Sequence, residues 1–554
     1  MKTRYAQNLL LATLLAAGAD ALAAPMAVTE AQLPKADLSP TLASMAKAMP
    51  LNAVAQPRRV VPLRLISPAM RTQAPPTSAR GQPPASSLTS GQGGLTPGVY
   101  TGGPLLNIDG IASDGTSAPP DPNGAVGDSQ YVQWVNTRLA IYNKANGALL
   151  LGPIPGNALF AGMTGSPGAD ACRTSNWGDP IVQYDKQARR WILTQFAWDP
   201  AKTDTGPYYQ CIAVSTSADA TGSYYRYAWE IHNDAGKIVF PDYPKVGVWP
   251  DAIYFTWVLF ESATAGGYLG PRACGVDRAA LLSGGSASAR CYDFGTAYGP
   301  ILPSDLDGTA APPAGSPNYM LTLDFLADGT GDHLFMWRFS FANATVNGPV
   351  TVPVAPFTIA CPSTYGGPCV RQPAPGEALD ALGDRLMHRL AYRNFGNREV
   401  LVANHSVQQP GAPTDGPVGV RWYEIRNPAS DSVAVYQQGT WAPDGLDRWM
   451  GSIAMDKMGN IALGYSASGT KTPPGVRYTG RLRSEPTGRL EPEAVLVSGG
   501  GSQVDTYNRW GDYSAMTIDP SGDCNFWYTQ EYIRATGSFN WSTRIGEFRF
   551  KNCK

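Results

Sequence analysis

"RWGDYSAMTIDPSGDCNFWYTQEY", Arg509 to Tyr532, reads as two strands around a turn. An apolar-rich run from Tyr513 to Ile518 meets Asp519-Pro520-Ser521-Gly522, and a second run leaves at Cys524. Asp, Pro, Ser and Gly are turn formers for separate physical reasons, so their clustering between two strand-like runs predicts a hairpin. The same design recurs along the chain. It appears in "WGDPIVQYDKQARRWILTQF" (Trp177–Phe196), "FPDYPKVGVWPDAIYFTWV" (Phe240–Val258) and "LGDRLMHRLAYRNFGNREVLVANHS" (Leu382–Ser406). It appears again in "RWMGSIAMDKMGNIALGYS" (Arg448–Ser466) and "PDPNGAVGDSQYVQWVN" (Pro120–Asn136).

The spacing decides the architecture. Asp121 to Asp179 is 58 residues, Asp179 to Asp242 is 63, and Gly451 to Gly511 is 60. Asp242 to Asp384 is 142, or two such steps, so that gap holds a further unit, assigned to "SPNYMLTLDFLADGTGDHLFMWRFSF" (Ser316–Phe341). Multi-strand units at this period predict an all-β chain folded as a seven-bladed β-propeller, with six blades as the alternative count. Two β-sandwiches would not explain one hairpin repeated at near-even spacing. The final unit has room for three strands, ending in "STRIGEFRF" (Ser542–Phe550). An N-terminal strand near Leu105–Ile108 is expected to complete it and lock the ring.

Composition agrees. Only 16% of residues are charged, with 60 Gly and 48 Pro, which favours strands and turns over long helices. A net charge of −1 gives no field to draw the chain to nucleic acid or an anionic membrane. Lys2 and Arg4, the apolar Leu9–Ala19 and Ala21-Leu22-Ala23 read as a signal peptide over residues 1–23, and no later run is long enough to span a bilayer. A secreted protein, extracellular or periplasmic, is expected, and a monomer. Residues 24–97 lack Phe, Tyr and Trp from Pro25 to Pro97 and are read as a disordered tether or pro-segment, with the propeller domain over 98–554. The even set Cys172, Cys211, Cys274, Cys291, Cys361, Cys369, Cys524 and Cys553 suits disulfides in an exported chain. Sequential pairing would close four local loops, although spacing alone does not fix the connectivity.

"TIDPSGDCNFWYT" (Thr517–Thr529) and "AMDKMGNIALGYS" (Ala454–Ser466) are loosely similar to the Asp-box turn of sialidases. From Pro120 to Cys553 the chain resembles a group of exported bacterial sialidase-like propellers, in runs such as "GDPIVQYD", "FPDYPKVGVWPDAIY", "GDRLMHRLAYRN" and "RWGDYSAM". The resemblance implies fold and export and supplies no reaction. Sialidases hold their substrate's carboxylate with three arginines and use a tyrosine nucleophile with a carboxylate base. By position in the repeat, the resemblance points to Arg385, Arg448 and Arg509 for the first role and to Tyr513 and Glu531 for the second. Arg385 departs from the pattern, since it follows its Gly-Asp pair.

In a propeller the residues before each inner strand face one end of the channel. Asp121, Asp179, Asp242 and Asp512 are therefore candidate acids, bases or nucleophiles for glycoside hydrolysis. The same ring of oxygens could hold Ca²⁺. His388, sharing a hairpin with His405, is a further ligand-binding or base candidate. Gly-Asp before a strand is also a plain capping device, and the aspartates and arginines could equally be structural ion pairs. No GxSxG elbow, HExxH, GxGxxG or Walker pattern occurs. Three functions follow. The first is an exported glycan-active hydrolase or lyase taking an anionic sugar from a polysaccharide or glycoprotein. The second is a non-catalytic glycan- or protein-binding adhesion propeller. The third is an exported peptidase with a pro-segment.

Overall fold

Asp side chains make the hairpin turns. Asp456 Oδ1 accepts the backbone N–H groups of Met458 and Asn460, both at 2.9 Å. Asp185 Oδ1 accepts those of Gln187 and Ala188, and Asp519 Oδ1 that of Ser521. Each carboxylate replaces backbone partners that a reversing chain cannot supply, which is why the motif recurs.

The computed structural model describes residues 26–49, 58–62, 64–71, 103–264, 266–504 and 506–554. The signal-peptide reading of residues 1–23 lies outside them. Among the described residues the strands form seven antiparallel runs of four, some joined or extended at their edges into larger sheets. Their first strands are Asn123–Val126, Ile181–Asp185, Phe240–Val248, Leu302–Asp307, Leu390–Asn394, Asp447–Met455 and Ala515–Ile518. Each of these packs against the next, and the seventh packs against the first, so the units circle one axis as a β-propeller. Leu106–Ala112 pairs antiparallel with Trp541–Phe548 and supplies the seventh unit's fourth strand, as the sequence predicts. Trp134, Trp191, Trp257, Trp337, Trp422 and Trp527 are fully buried between and within the units. Two-sided sheets need such bulk on both faces.

One hairpin assignment shifts. Ser316–Phe341 supplies the second and third strands of the fourth unit, Asn318–Leu323 and Thr330–Ser340. The unit's first strand is the short, polar Leu302–Asp307, held on one side by a parallel ladder to Leu390–Asn394. Its stability comes from neighbouring units, so it carries no local apolar signal.

A disordered segment over 24–97 is corrected for the described residues. Met26–Ala27, Thr29–Leu33 and Asp37–Leu38 add outer strands to the fourth, third and second units respectively. Leu42–Lys47 is a helix capped by Thr41, with Leu42 and Met45 buried. The segment lacks aromatics, but backbone pairing to open sheet edges needs none.

The cysteines pair in sequence order: Cys172–Cys211, Cys274–Cys291, Cys361–Cys369 and Cys524–Cys553. Among the described residues no helix is long and apolar enough to cross a membrane. The last bridge spans 29 residues and ties the C-terminus to the seventh unit. Replacing Cys524 and Cys553 together by Ser is expected to cost roughly 3–4 kcal/mol in urea unfolding, the chain-entropy value for that loop.

Candidate functional site

Strained backbone lies within or before the first strands of five units. Asp121, Asp179, Tyr243, Leu382 and Met450 all have positive φ, between 43° and 53°. Such backbone in non-glycine residues aims side chains where a regular strand would not. In the third unit a register shift between Asp242 and Lys245 adds a bulge, which turns Tyr243 and Lys245 together toward the seventh unit.

The result is a buried cluster at one end of the channel. Asp121 Oδ1 accepts the backbone N–H of Asp512 at 2.7 Å, and its Oδ2 accepts Asn136 Nδ2 at 2.6 Å. Asn136 Oδ1 accepts the N–H of Asp179, so one amide joins the first two units. Lys245 Nζ lies 3.3 Å from the Tyr243 ring centroid and 4.2 Å from that of Tyr513, and donates to the Pro244 carbonyl at 2.8 Å. The Arg385 guanidinium also stacks on Tyr243, 4.5 Å from its ring centroid. Asp179 Oδ1 and the Tyr243 hydroxyl are buried without hydrogen-bond partners.

Burial dominates the proton affinities. Burial, reinforced by the Asp512 carboxylate, pushes Asp121 up to about 7. Burial, then the charges of Asp121, Asp242 and Asp512, raises Asp179 well above the usual carboxylate range. Asp242 is also raised by burial, against the nearby Arg64 guanidinium. Burial pulls Lys245 down to about 7 although Asp179 and Asp512 oppose it. His388 is held neutral by burial and by the charges of Lys245 and Arg389. Burial shifts a lysine and carboxyl groups toward neutrality from opposite sides, an arrangement that acid–base sites also use.

The structure therefore brings together Asp121, Asp179, Asp242, Asp512, Tyr513, Arg385, Arg509 and His388. Several expectations change. Arg448 is elsewhere: its guanidinium is bound by Asp444 and Glu493, with Nε to Glu493 Oε2 at 2.8 Å, so it forms no three-arginine clamp. Arg385 and Arg509 are also paired, the former with Asp384 and the latter with Asp380 and Asp512. Tyr513 donates to the Pro180 carbonyl at 3.1 Å, while Glu531 accepts the Gly511 N–H at 2.8 Å, so the two are not set as nucleophile and base. His405 bonds the Tyr423 hydroxyl inside the fifth unit, whereas His388 faces Tyr513; the hairpin does not make them a pair. Among the described residues no three His, Cys, Asp or Glu side chains gather as a metal-holding group.

Sequence reasoning missed Lys245, Tyr243 and Asp380. A signal existed for the first: a lone lysine inside the apolar strand "PKVGVW" must have a reason to be buried. It also missed the cover. Residues 58–62 and 64–71 cross this end of the propeller, where the Val61 carbonyl accepts Arg509 Nε at 2.9 Å and the Arg64 carbonyl accepts Arg385 Nη2 at 2.6 Å.

The chain matches no family model, and no curated protein matches it. Solved structures similar to it include an exo-β-1,3-galactanase from Clostridium thermocellum, at 10% identity over 77% of this chain and 87% of that one, TM-score 0.30. A polysaccharide lyase family 25 ulvan lyase bound to -[GlcA(1-4)Rha3S]- gives 11% identity over 78% and 97%, TM-score 0.33. The N-terminal domain of Nup159 gives 8% over 89% and 100%, TM-score 0.31. Likenesses of this degree carry nothing about chemistry.

Two outcomes test the electrostatics. A carboxyl raised from 3.8 to about 7 on folding stabilises the fold fully below the lower value, and that contribution is lost as pH rises through the upper one. Asp121→Asn should therefore flatten the fall in melting temperature between about pH 4 and pH 7; an unchanged slope contradicts the burial account. Arg448→Ala should lower stability by roughly 1.5–3 kcal/mol, because Glu493 loses its two charge-assisted bonds from Arg448 while keeping Arg477 and Tyr465. Denaturant unfolding reads this directly.

Proposed function

We propose that the chain is an exported, monomeric, glycan-active propeller that performs acid–base chemistry on an anionic polysaccharide at the Lys245 end of the channel. The observation that carries this reading is Lys245 itself. Its ammonium is buried, has a carbonyl as its hydrogen-bond partner, and lies between two tyrosine rings beside the raised, partly unpartnered carboxyl of Asp179. Nothing in packing requires a lysine there, and a hydrophobic residue would cost less.

Within this reading a lyase fits better than a hydrolase. Glycoside hydrolysis pairs two carboxyl groups, whereas here the group nearest neutrality from above is an amine. Neutral Lys245 would take the proton beside a uronate carboxylate. The bond to the glycosidic oxygen breaks, a carbon–carbon double bond forms, and the leaving oxygen takes the proton held on Asp179. Arg385 Nη2 and Arg509 Nε, which meet the carbonyls of the covering segment, would meet the sugar's oxygens instead. The four disulfides suit an oxidising compartment. The resemblance to sialidases belongs to this reading as a family likeness and contributes no residue role to it.

A second reading, a non-catalytic glycan- or protein-binding module, is favoured by one fact: Arg385, Arg448 and Arg509 are each neutralised by the chain's own carboxylates. One variant separates the two. The purified mature chain, and the same chain with Arg64→Ala to loosen the cover, are screened against uronic-acid, sulfated and neutral polysaccharides for bound and released fragments. Lys245→Met in each background should reduce turnover by about 10²–10⁴-fold while leaving the melting temperature unchanged or raised. Binding without turnover that Lys245→Met leaves intact establishes the second reading. Neither binding nor turnover of any glycan overturns both.

A further inference from the structure

The covering segment is held in a way that packing alone does not demand. Four of its side chains are arginines, at positions 58, 59, 64 and 71. Arg58 lies 5.2 Å from the Phe539 ring centroid, and the other three each meet aromatic rings and acceptors on successive units. Arg59 stacks 4.5 Å from the ring centroid of Trp177 and donates to the Trp177 carbonyl at 2.6 Å, with Asp179 nearby. Arg64 lies between Phe240 and Phe260, 4.7 Å from each ring centroid. It donates to the carbonyls of Ser262 and Ala263 and faces Asp242 at 3.7 Å. Arg71 stacks 4.7 Å from the Phe325 centroid and pairs with Asp324 at 2.8 Å. A flat guanidinium against an aromatic face, with acceptors at its edge, is a geometry that reads arginine and not lysine.

The backbone is read too. Arg59 and Val60 pair in parallel with Ser117 and Ala118, and the N–H groups of Arg59 and Val61 donate to the carbonyls of Thr116 and Ala118. The Ile66 N–H donates to Asp384 Oδ2 at 2.7 Å, and the carbonyls of Val61 and Arg64 accept from Arg509 and Arg385. Strand addition for affinity and side-chain pockets for specificity is how domains bind extended peptides.

We infer that this face of the propeller is a peptide-binding groove selective for arginines on an extended segment, and that residues 58–62 and 64–71 are its resident, displaceable occupant. The groove would accept a basic segment of another chain in the same register once the resident strand leaves. The inference does not depend on the glycan reading; the peptide covers Arg385 and Arg509 whatever those residues later bind.

The probe is a fluorescent synthetic peptide of residues 57–72, titrated by anisotropy against the full chain and against the full chain carrying Arg59→Ala, Arg64→Ala and Arg71→Ala. The variant is expected to bind the peptide at least tenfold more tightly than the unaltered chain does. A probe peptide with Arg64→Lys should lose most of that affinity. Circular dichroism and the melting transition establish that the variant is folded. A folded variant that binds no better than the unaltered chain, or that does not distinguish Arg from Lys, overturns the inference. Should the triple variant not fold, hydrogen exchange on the unaltered chain decides. Amides of 59–66 exchanging at least tenfold faster than those of Ala252–Phe260 support an occupant that leaves on its own. Amides of both exchanging together, in one global opening, make the segment a fixed part of the fold and overturn it.

Discussion

The ladder between Leu106–Ala112 and Trp541–Phe548 is the contact on which the rest depends. A propeller is a ring of sheets, each of which buries its faces only against its neighbours. Without closure the first and seventh units would expose one face each, and the stacked rings of Tyr131 and Trp527, whose centroids lie 5.2 Å apart across that seam, would be separated. The ladder joins residues more than 400 positions apart, so its entropy of closure is large and must be met by packing that forms only when the ring is complete. The Cys524–Cys553 bridge acts on the same unit from the other side, and Asp121 crosses the seam to the backbone of Asp512.

The closed ring also creates the site. Seven first strands converge on one axis, and the charged residues at their starts are forced together out of water. Carboxylates so placed either find a cation or take up a proton. Both outcomes occur within a few residues of each other. Asp384 and Asp380 are bonded to guanidiniums, whereas Asp179 is raised well above its ordinary range with one oxygen unpartnered. The uncompensated part of the cluster is where Lys245 sits. That coincidence of strain, burial and missing partners gathers the chemistry at one end of the channel.

The covering segment connects the N-terminal region to that chemistry. Its outer strands bind sheet edges on three units, which blunts exposed ladders, and the stretch after them lies over the charged channel end. A segment without aromatic residues of its own is held by the aromatics of the propeller, through its arginines.

What the sequence determined by itself is local in origin. Hairpins such as Arg448–Ser466 and Arg509–Tyr532 were legible because an Asp turn and its two flanking strands lie within about 20 residues, and their even spacing implied the ring. The aspartates at the strand starts were legible for the same reason, as was the closing strand near Leu105–Ile108. The tertiary structure decided what depends on partners distant in the chain. Leu302–Asp307 is a strand only because Leu390–Asn394 runs beside it. Arg448 repeats the sequence context of Arg509, yet Glu493 captures it before it can reach the channel, and only the path of the sixth unit's outer strand puts Glu493 there. Residues 58–62 and 64–71 read as part of a Pro/Ala/Ser-rich tether or pro-segment because the rings that hold them, Trp177, Phe240, Phe260 and Phe325, are not near them in sequence. Composition measures what a segment can bury by itself, and this one is bound by surfaces that other parts of the chain provide.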